Sequence, residues 1–237
     1  MIEGNADQQL AWFDRTGKKL GTIGPLGIYE VPRLSADDQH LAVGWRDSQV
    51  RNSEIRLFDL THGTDQRITF DPAIDRFPLW SPDGNRVVWT STREGQGDLY
   101  WKAASGAGQD EALLKSKNYK SAYDWSADGR YLLYREVHPQ TNYDLWVLPL
   151  EGERKPWPWL NTSANEFAAK FSPDGRWIAY QSDETGRAEI YLQAFVPGAS
   201  AAGGKWQISP NSGSQAWWRS DGKELYYLSS GKLMAVE

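Results

Sequence analysis

A four-residue turn signature returns five times along this chain of 237 residues. It reads Ser35-Ala36-Asp37-Asp38, Ser81-Pro82-Asp83-Gly84, Ser126-Ala127-Asp128-Gly129, Ser172-Pro173-Asp174-Gly175 and, in a worn copy, Arg219-Ser220-Asp221-Gly222. The aspartates are 46, 45, 46 and 47 residues apart. That period is close to the roughly 40–45 residues of a four-stranded propeller blade and far from the roughly 33–34 of ankyrin or tetratricopeptide repeats. A second marker keeps step with the first: Glu54-Ile55, Asp98-Leu99-Tyr100, Asp144-Leu145-Trp146 and Glu189-Ile190-Tyr191 each place an acid before an apolar strand. Two markers in phase make the repeat the organising fact of the chain.

Each unit reads as four short strands, a to d. In the second unit Phe77 to Trp80 is a, Arg86 to Thr90 is b, Leu99 to Lys102 is c and Ala112 to Lys115 is d. Between a and b the turn chemistry is explicit: proline presets φ, aspartate bonds nearby backbone and glycine accepts positive φ. The b strands, such as Val87-Val88-Trp89 and Leu132-Leu133-Tyr134, are apolar at consecutive positions. Both of their faces must be buried, as in blades stacked on one another and not in a sheet with one wet face. In Lys155-Pro156-Trp157-Pro158-Trp159 two prolines lie two residues apart, so their missing N–H groups point to one unpaired edge, as an outermost d strand allows.

The expected fold class is therefore all-β, a β-propeller of four-stranded antiparallel blades, about five blades' worth, read as a single domain over 1–237. The units run over about 28–70, 74–116, 119–161, 164–209 and 212–237. Off-phase c and d strands over 10–23 precede them, and this surplus suits a slice of a propeller of six or more blades. Pro197 to Gly204, rich in Gly, Ala and Ser, reads as a longer c–d loop at the surface. An aromatic load of 13 Trp, 11 Tyr and 7 Phe agrees with strands packed face to face.

Composition excludes several functions. The formal net charge is -5, which offers no basic field for a phosphate backbone, so no nucleic-acid partner is expected. No apolar run reaches the ~18–20 residues of a membrane span, and Met1 to Gln9 lacks the basic start and apolar stretch of a secretory leader. With no cysteine there is no thiolate metal site or cysteine nucleophile. The three histidines, His40, His62 and His138, lack metal-ligand spacing. Neither a nucleophile elbow nor a zinc-protease helix motif occurs. No catalytic residue, metal or cofactor is expected, and the chain is read as a non-enzyme.

Features shared by every unit are architecture, which removes the turn aspartates and the acids that open strand c from the list of functional candidates. One residue before the turn, Leu34, Trp80, Trp125, Phe171 and Trp218 are all apolar and read as inter-blade core. Two before it, Arg33, Leu79, Asp124, Lys170 and Trp217 vary in charge and size, as positions lining a wet channel would. Five before it stand Glu30, Arg76, Ser121, Phe167 and Ser214. The b–c loops add Arg46, Arg93 and Arg135. The candidate ligand-binding set is thus Glu30, Arg33, Arg46, Arg76, Arg93, Asp124, Arg135 and Lys170, a mixed-charge surface suited to a protein, a peptide or a small polar ligand.

The Ser-Pro-Asp-Gly turn with its apolar b and acid-led c strands resembles the TolB-like, WD-related β-propeller repeat over nearly the whole chain. More narrowly, Trp12-Phe13-Asp14-Arg15-Thr16-Gly17-Lys18-Lys19-Leu20-Gly21, Gly204-Lys205-Trp206-Gln207-Ile208-Ser209 and Lys232-Leu233-Met234-Ala235-Val236 resemble propellers found C-terminal to bacterial serine/threonine kinases. That resemblance implies a sensor or protein-interaction module outside the membrane, periplasmic or extracellular, joined by a span to a kinase. The chain itself carries no kinase motif. Two alternatives stay open: the propeller lid of a prolyl-oligopeptidase-like hydrolase, and a carbohydrate-active propeller. The sequence flanking Met1 and Glu237 discriminates among the three.

Overall fold

A computed structural model describes residues 7–47, 52–201 and 203–237. Among them are twenty strands and no helix. The strands form five antiparallel sheets, one per repeat, which are the blades of an all-β propeller. They gather into two compact units, Met1–Lys117 and Asn118–Glu237. In the first unit, β1 (Gln8–Phe13), β2 (Lys19–Leu34), β3 (His40–Arg46), β4 (Glu54–Asp59) and β5 (Thr64–Arg67) make one sheet. A second holds β6 (Asp75–Trp80), β7 (Arg86–Ser91), β8 (Asp98–Ala103) and β9 (Glu111–Leu114).

In the second unit, β10 (Lys120–Trp125), β11 (Tyr131–His138), β12 (Asn142–Pro149) and β13 (Trp157–Leu160) form the third blade. The fourth is β14 (Glu166–Phe171), β15 (Trp177–Ser182), β16 (Glu189–Ala194) and β17 (Lys205–Gln207). A three-stranded sheet of β18 (Ser214–Trp218), β19 (Leu225–Ser229) and β20 (Lys232–Val236) closes the series.

The repeated turn works through a hydroxyl clamp. Ser81 Oγ donates to Asp83 Oδ1 at 2.6 Å and accepts from the Arg86 amide at 2.9 Å, while Asp83 Oδ1 also accepts from the Asn85 amide at 3.0 Å. Ser35, Ser126 and Ser172 do the same with Asp37, Asp128 and Asp174. In the worn copy the Arg219 guanidinium replaces the hydroxyl, 3.3 Å from Asp221 and 3.1 Å from Glu224. The serine hydroxyl is the largest influence holding the carboxyls of Asp37, Asp83 and Asp174 below the ordinary aspartate value. The fourth turn residue needs positive φ, which Gly84, Gly129, Gly175 and Gly222 supply and Asp38 adopts at 57°.

Middle strands are buried on consecutive residues, as their sequence demands: Ala42 to Gly44, Val87 to Ser91, Leu132 to Tyr134 and Ile178 to Tyr180. The apolar column just before the turn divides. Trp80, packed with Ala42 and Leu57 of the preceding blade, and Phe171, packed with Leu133 and Val147, are core, but Leu34 is 45% exposed and Trp125 only half-buried. Such a residue is core only where a preceding sheet covers it, and β2 has no earlier blade against it among the described residues.

Two further expectations acquire detail. The surplus N-terminal strands do form a hairpin, with Leu10 opposite Ile23, yet its second strand runs on unbroken into the inner strand of the first blade as the 16-residue β2. Leu10 and Ile23 lie on Leu41, Val43 and Phe58, so burial anchors the hairpin to that blade. The proline-bearing β13 is an edge strand, but its edge is not bare. Ser200 Oγ donates to the Pro158 carbonyl at 3.0 Å, the Ala201 amide donates to the Trp159 carbonyl, and Trp157 Nε1 donates to Ala199 O at 3.1 Å. The c–d loop of the fourth blade is therefore tied down along β13.

Two outcomes follow for stability. Ser81→Ala removes one donor and one acceptor and should cost about 1–2 kcal/mol at neutral pH. Because the folded Asp83 value is depressed, its contribution is present above the unfolded aspartate value of about 4 and lost as pH falls through the folded value. The variant should consequently show less acid-induced loss than wild type in melts between about pH 5 and 2. Trp80→Ala should lose about 3–5 kcal/mol, and Trp125→Ala distinctly less, in chemical denaturation of the two variants side by side.

Candidate functional site

The inner strand of every blade carries a one-residue bulge. Glu30 and Arg33 lie opposite Gly44 and Ala42, Arg76 and Leu79 opposite Thr90 and Val88, Ser121 and Asp124 opposite Arg135 and Leu133, and Phe167 and Lys170 opposite Gln181 and Ala179. Three steps on the inner strand thus span two on its partner, which brings the positions five and two before the turn to the same face. Without the bulge they would point to opposite faces. The bulge holds Val31, Phe77, Ala168 and Gln215 at φ 46°, 56°, 46° and 53°, strained values for residues other than glycine.

Much of the charge brought to this face is met within the protein. In the first unit Glu30 Oε2 is 3.1 Å from Arg76 Nε, outside hydrogen-bond geometry. The pair spans the inner strands of adjacent blades above Gly44, where a Cβ would sit 3.4 Å from that of Glu30. The Arg33 carbonyl accepts Trp80 Nε1 at 3.0 Å. In the second unit Lys170 Nζ bonds Asp124 Oδ1 at 2.9 Å and the Tyr123 carbonyl at 2.8 Å, while Asp124 Oδ2 accepts the Phe171 amide at 2.8 Å. These groups stitch neighbouring inner strands together as well as lining them.

The three b–c arginines occupy different settings. Arg46 ends β3 half-buried, its Nε without a hydrogen-bond partner. Arg93, 13% exposed, bonds Ser91 and Asp110 at 2.9 Å each, lies 3.6 Å from Asp75, and covers the Tyr100 ring. It organises loops. Arg135 stands 4.6 Å from the Tyr143 ring centroid and 5.9 Å from those of Tyr119 and Tyr123, within an aromatic surround.

The position six before the turn escaped the sequence reading. It holds Asp75, Lys120 and Glu166, exposed by 0%, 0% and 1%. Its signal was available: charged residues recur there in three units of five. Lys120 Nζ donates to the Asn118 carbonyl at 2.6 Å. Burial raises the Asp75 carboxyl above its ordinary value, against the opposing pull of Ser91, Thr69 and Arg93. Glu166 accepts from Thr162 Oγ1 through one oxygen while the other has no partner. Burial first, then the charges of Asp144, Asp183 and Glu184, push Glu166 up to about 8.

The acids opening strand c bond within their own blades, as architecture requires. Glu54 holds Arg56 and Arg67, Asp98 accepts the Ser116 amide, Asp144 accepts Thr141 and Asn161, and Glu189 accepts Ser209. Among the described residues no group of three or more His, Asp or Glu is placed to hold a metal ion.

Beyond the inner strands, grooves open between blades at the serine-turn end. One, of about 460 Å³, lies between the first two blades and is lined by His40, Leu57, Gln66, Trp80 and Ala104 among others. Another, of about 490 Å³, lies between the last two and is lined by Trp177, Leu192 and Trp218.

Residues 15–155 match the model of the TolB beta propeller domain. The chain belongs to this family. A tricorn protease homolog 1 of Streptomyces coelicolor is 29% identical over 101 residues, 42% of this chain and 10% of that protein. An uncharacterized protein of Agrobacterium fabrum is 25% identical over 203 residues, 78% of this chain and 62% of that protein. The chain therefore spans less than two thirds of either curated relative. The crystal structure of TolB from Acinetobacter baumannii superposes with a TM-score of 0.75 at 17% identity, over 96% of this chain and 56% of that one. The last likeness concerns fold alone.

The buried Glu166 gives this TolB-like propeller a pH signature. Its folded value of about 8 lies above the ordinary 4.5, so the unfolded chain releases the proton first and stability declines as pH rises between those values. Glu166→Gln should remove that slope and melt higher than wild type at pH 8–9 in paired thermal scans.

Proposed function

We propose that this chain is a non-enzymatic binding module that recognises a protein, peptide or small polar ligand through the polar faces of the inner strands in each of its units. The observation that carries the reading is the variation of the two side-chain columns that the shared bulge brings together. Five inner strands depart from regular pairing at the same place, and non-glycine residues in four of them hold positive φ, so that two variable, largely polar positions share one face of each strand. Backbone strain of this kind is concentrated where structure serves recognition. Glu30, Arg33 and Arg76 supply that polarity in the first unit and Asp124 and Lys170 in the second, with Arg46 and Arg93, and Arg135, in the b–c loops of the respective units.

The family supports a binding role. The finer reading, a sensor outside the membrane joined to a serine/threonine kinase, rests on the resemblance of the 12–21, 204–209 and 232–236 segments to kinase-linked propellers. The match to a segment of a tricorn protease homolog favours one alternative, a propeller appended to a hydrolase, and the genomic sequence around this segment decides between them.

A photo-crosslinking side chain in place of Arg46 should trap a discrete partner in the native cell. Arg33→Glu should reduce that adduct while leaving the melting temperature within a few degrees of wild type. Reproducible turnover of peptide, ester or oligosaccharide substrates, abolished by one substitution in this chain, would overturn the reading.

A further inference from the structure

The groove between the first and second blades has a filled counterpart in the same molecule. The amides of Leu60, Ala104, Leu150 and Phe195 each donate to the carbonyl two residues after their own blade's turn aspartate, those of Gln39, Asn85, Arg130 and Arg176, at 2.8 to 2.9 Å. That shared bond makes Ala104 the equivalent of Phe195. By strand register His40 is likewise equivalent to Tyr131, and Gln66 to Trp157. Trp80 and Phe171 both stand just before the turn.

Between the third and fourth blades these positions make a packed aromatic cluster, with Phe171 and Phe195 buried and Tyr131 and Trp157 half-buried. Phe195 lies 5.4 Å from Tyr131 and 5.0 Å from Phe171, and Tyr131 lies 6.1 Å from Trp157. Between the first and second, His40 and Trp80 keep their ring contact at 6.0 Å. The phenyl ring has become Ala104 and the indole Gln66, leaving the groove of about 460 Å³.

The chain that follows Phe195 also has no counterpart. After turning at Val196 to Ala199, residues Ala199 to Ala201 lie against β13 through the three bonds to Trp157, Pro158 and Trp159. The equivalent strand, β5, is the last of its sheet, with Thr64, Asp65 and Gln66 exposed. After Ala104, the chain meets the Gln66 side chain of β5, whose Nε2 donates to the Ser105 carbonyl at 3.3 Å and lies close against Gly106.

We propose that this groove is a docking site for an extended peptide of a partner protein, which packs an aromatic side chain against His40, Trp80 and Ala104 and lays its following residues along the outer edge of β5. The partner supplies in trans what Phe195 to Ala201 supply in cis. A docked ring covers the half-buried His40 and Ala104 beside the already buried Trp80 and Leu57, and the strand edge offers backbone partners, the two components of peptide recognition by strand addition. Asp59 and Asp65, which line the groove, are already met by His62 at 2.7 Å and Arg56 at 2.8 Å, so the ring and the strand edge, as in the filled junction, define the occupant. The proposal shares no residue with the inner-strand face and stands or falls separately.

The probe is the blocked octapeptide of residues 194–201, the molecule's own aromatic plug, titrated into the full chain while the Trp80 Nε1–H resonance is followed. A saturable shift is expected, at least tenfold weaker with the Phe195→Ala peptide. In the full chain, Ala104→Phe should likewise weaken octapeptide binding at least tenfold, with the melting temperature equal to or above wild type. If that variant does not fold, Gln66→Trp fills the groove from β5 and should give the same loss. No saturable Trp80 shift at millimolar octapeptide, or equal binding by a folded variant with a filled groove, would overturn the proposal.

Discussion

Apolar side chains on both faces of a sheet leave water only when another sheet covers each face, and that requirement governs this molecule. Val87, Val88 and Trp89, or Leu132, Leu133 and Tyr134, are fully buried on consecutive residues, which no solitary blade could achieve. Trp80 and Phe171 show the consequence from the other side, since each is core because the preceding blade lies over it. Stability therefore resides in interfaces between successive blades, and the hydroxyl-clamped turns hold each sheet in the register those interfaces need.

The same constraint explains where polar groups are found. Inner strands bring backbone and charge close together, and the protein answers with ion pairs from blade to blade: Glu30 with Arg76, and Lys170 with Asp124. Groups one residue further out, Asp75 and Glu166, are buried with weaker compensation, so their neutral forms gain. A column that looks like architecture by position thus holds the most perturbed carboxyls of the inner strands.

Repetition also makes departures informative. When one junction is filled by Phe195 and an equivalent one is opened by Ala104, the protein supplies its own comparison at constant backbone geometry. The lost ring volume is not recovered by neighbouring side chains, because His40 and Trp80 are held by strands equivalent in register to those that hold Tyr131 and Phe171. A groove results where packing alone would favour closure.

Local chemistry was enough to reveal much of this from residues alone. The period, the serine-led turns, the doubly buried middle strands and the edge position of the Pro156–Pro158 segment all follow from short-range rules of φ, hydrogen bonding and alternation, and each needs only a few adjacent residues. Other features depend on residues some 40 or more positions apart. The pairing of Lys170 with Asp124, the plugging of the third junction by Phe195 and the exposure of Leu34 are set by which blade lies against which. The bulge that turns Glu30 and Arg33 to one face lay between these cases: its residues are local, but Val31 carries no glycine signal for positive φ, and only pairing with β3 imposes it. Short-range stereochemistry is written in the order of side chains, whereas burial and charge pairing arise from distant segments meeting in space.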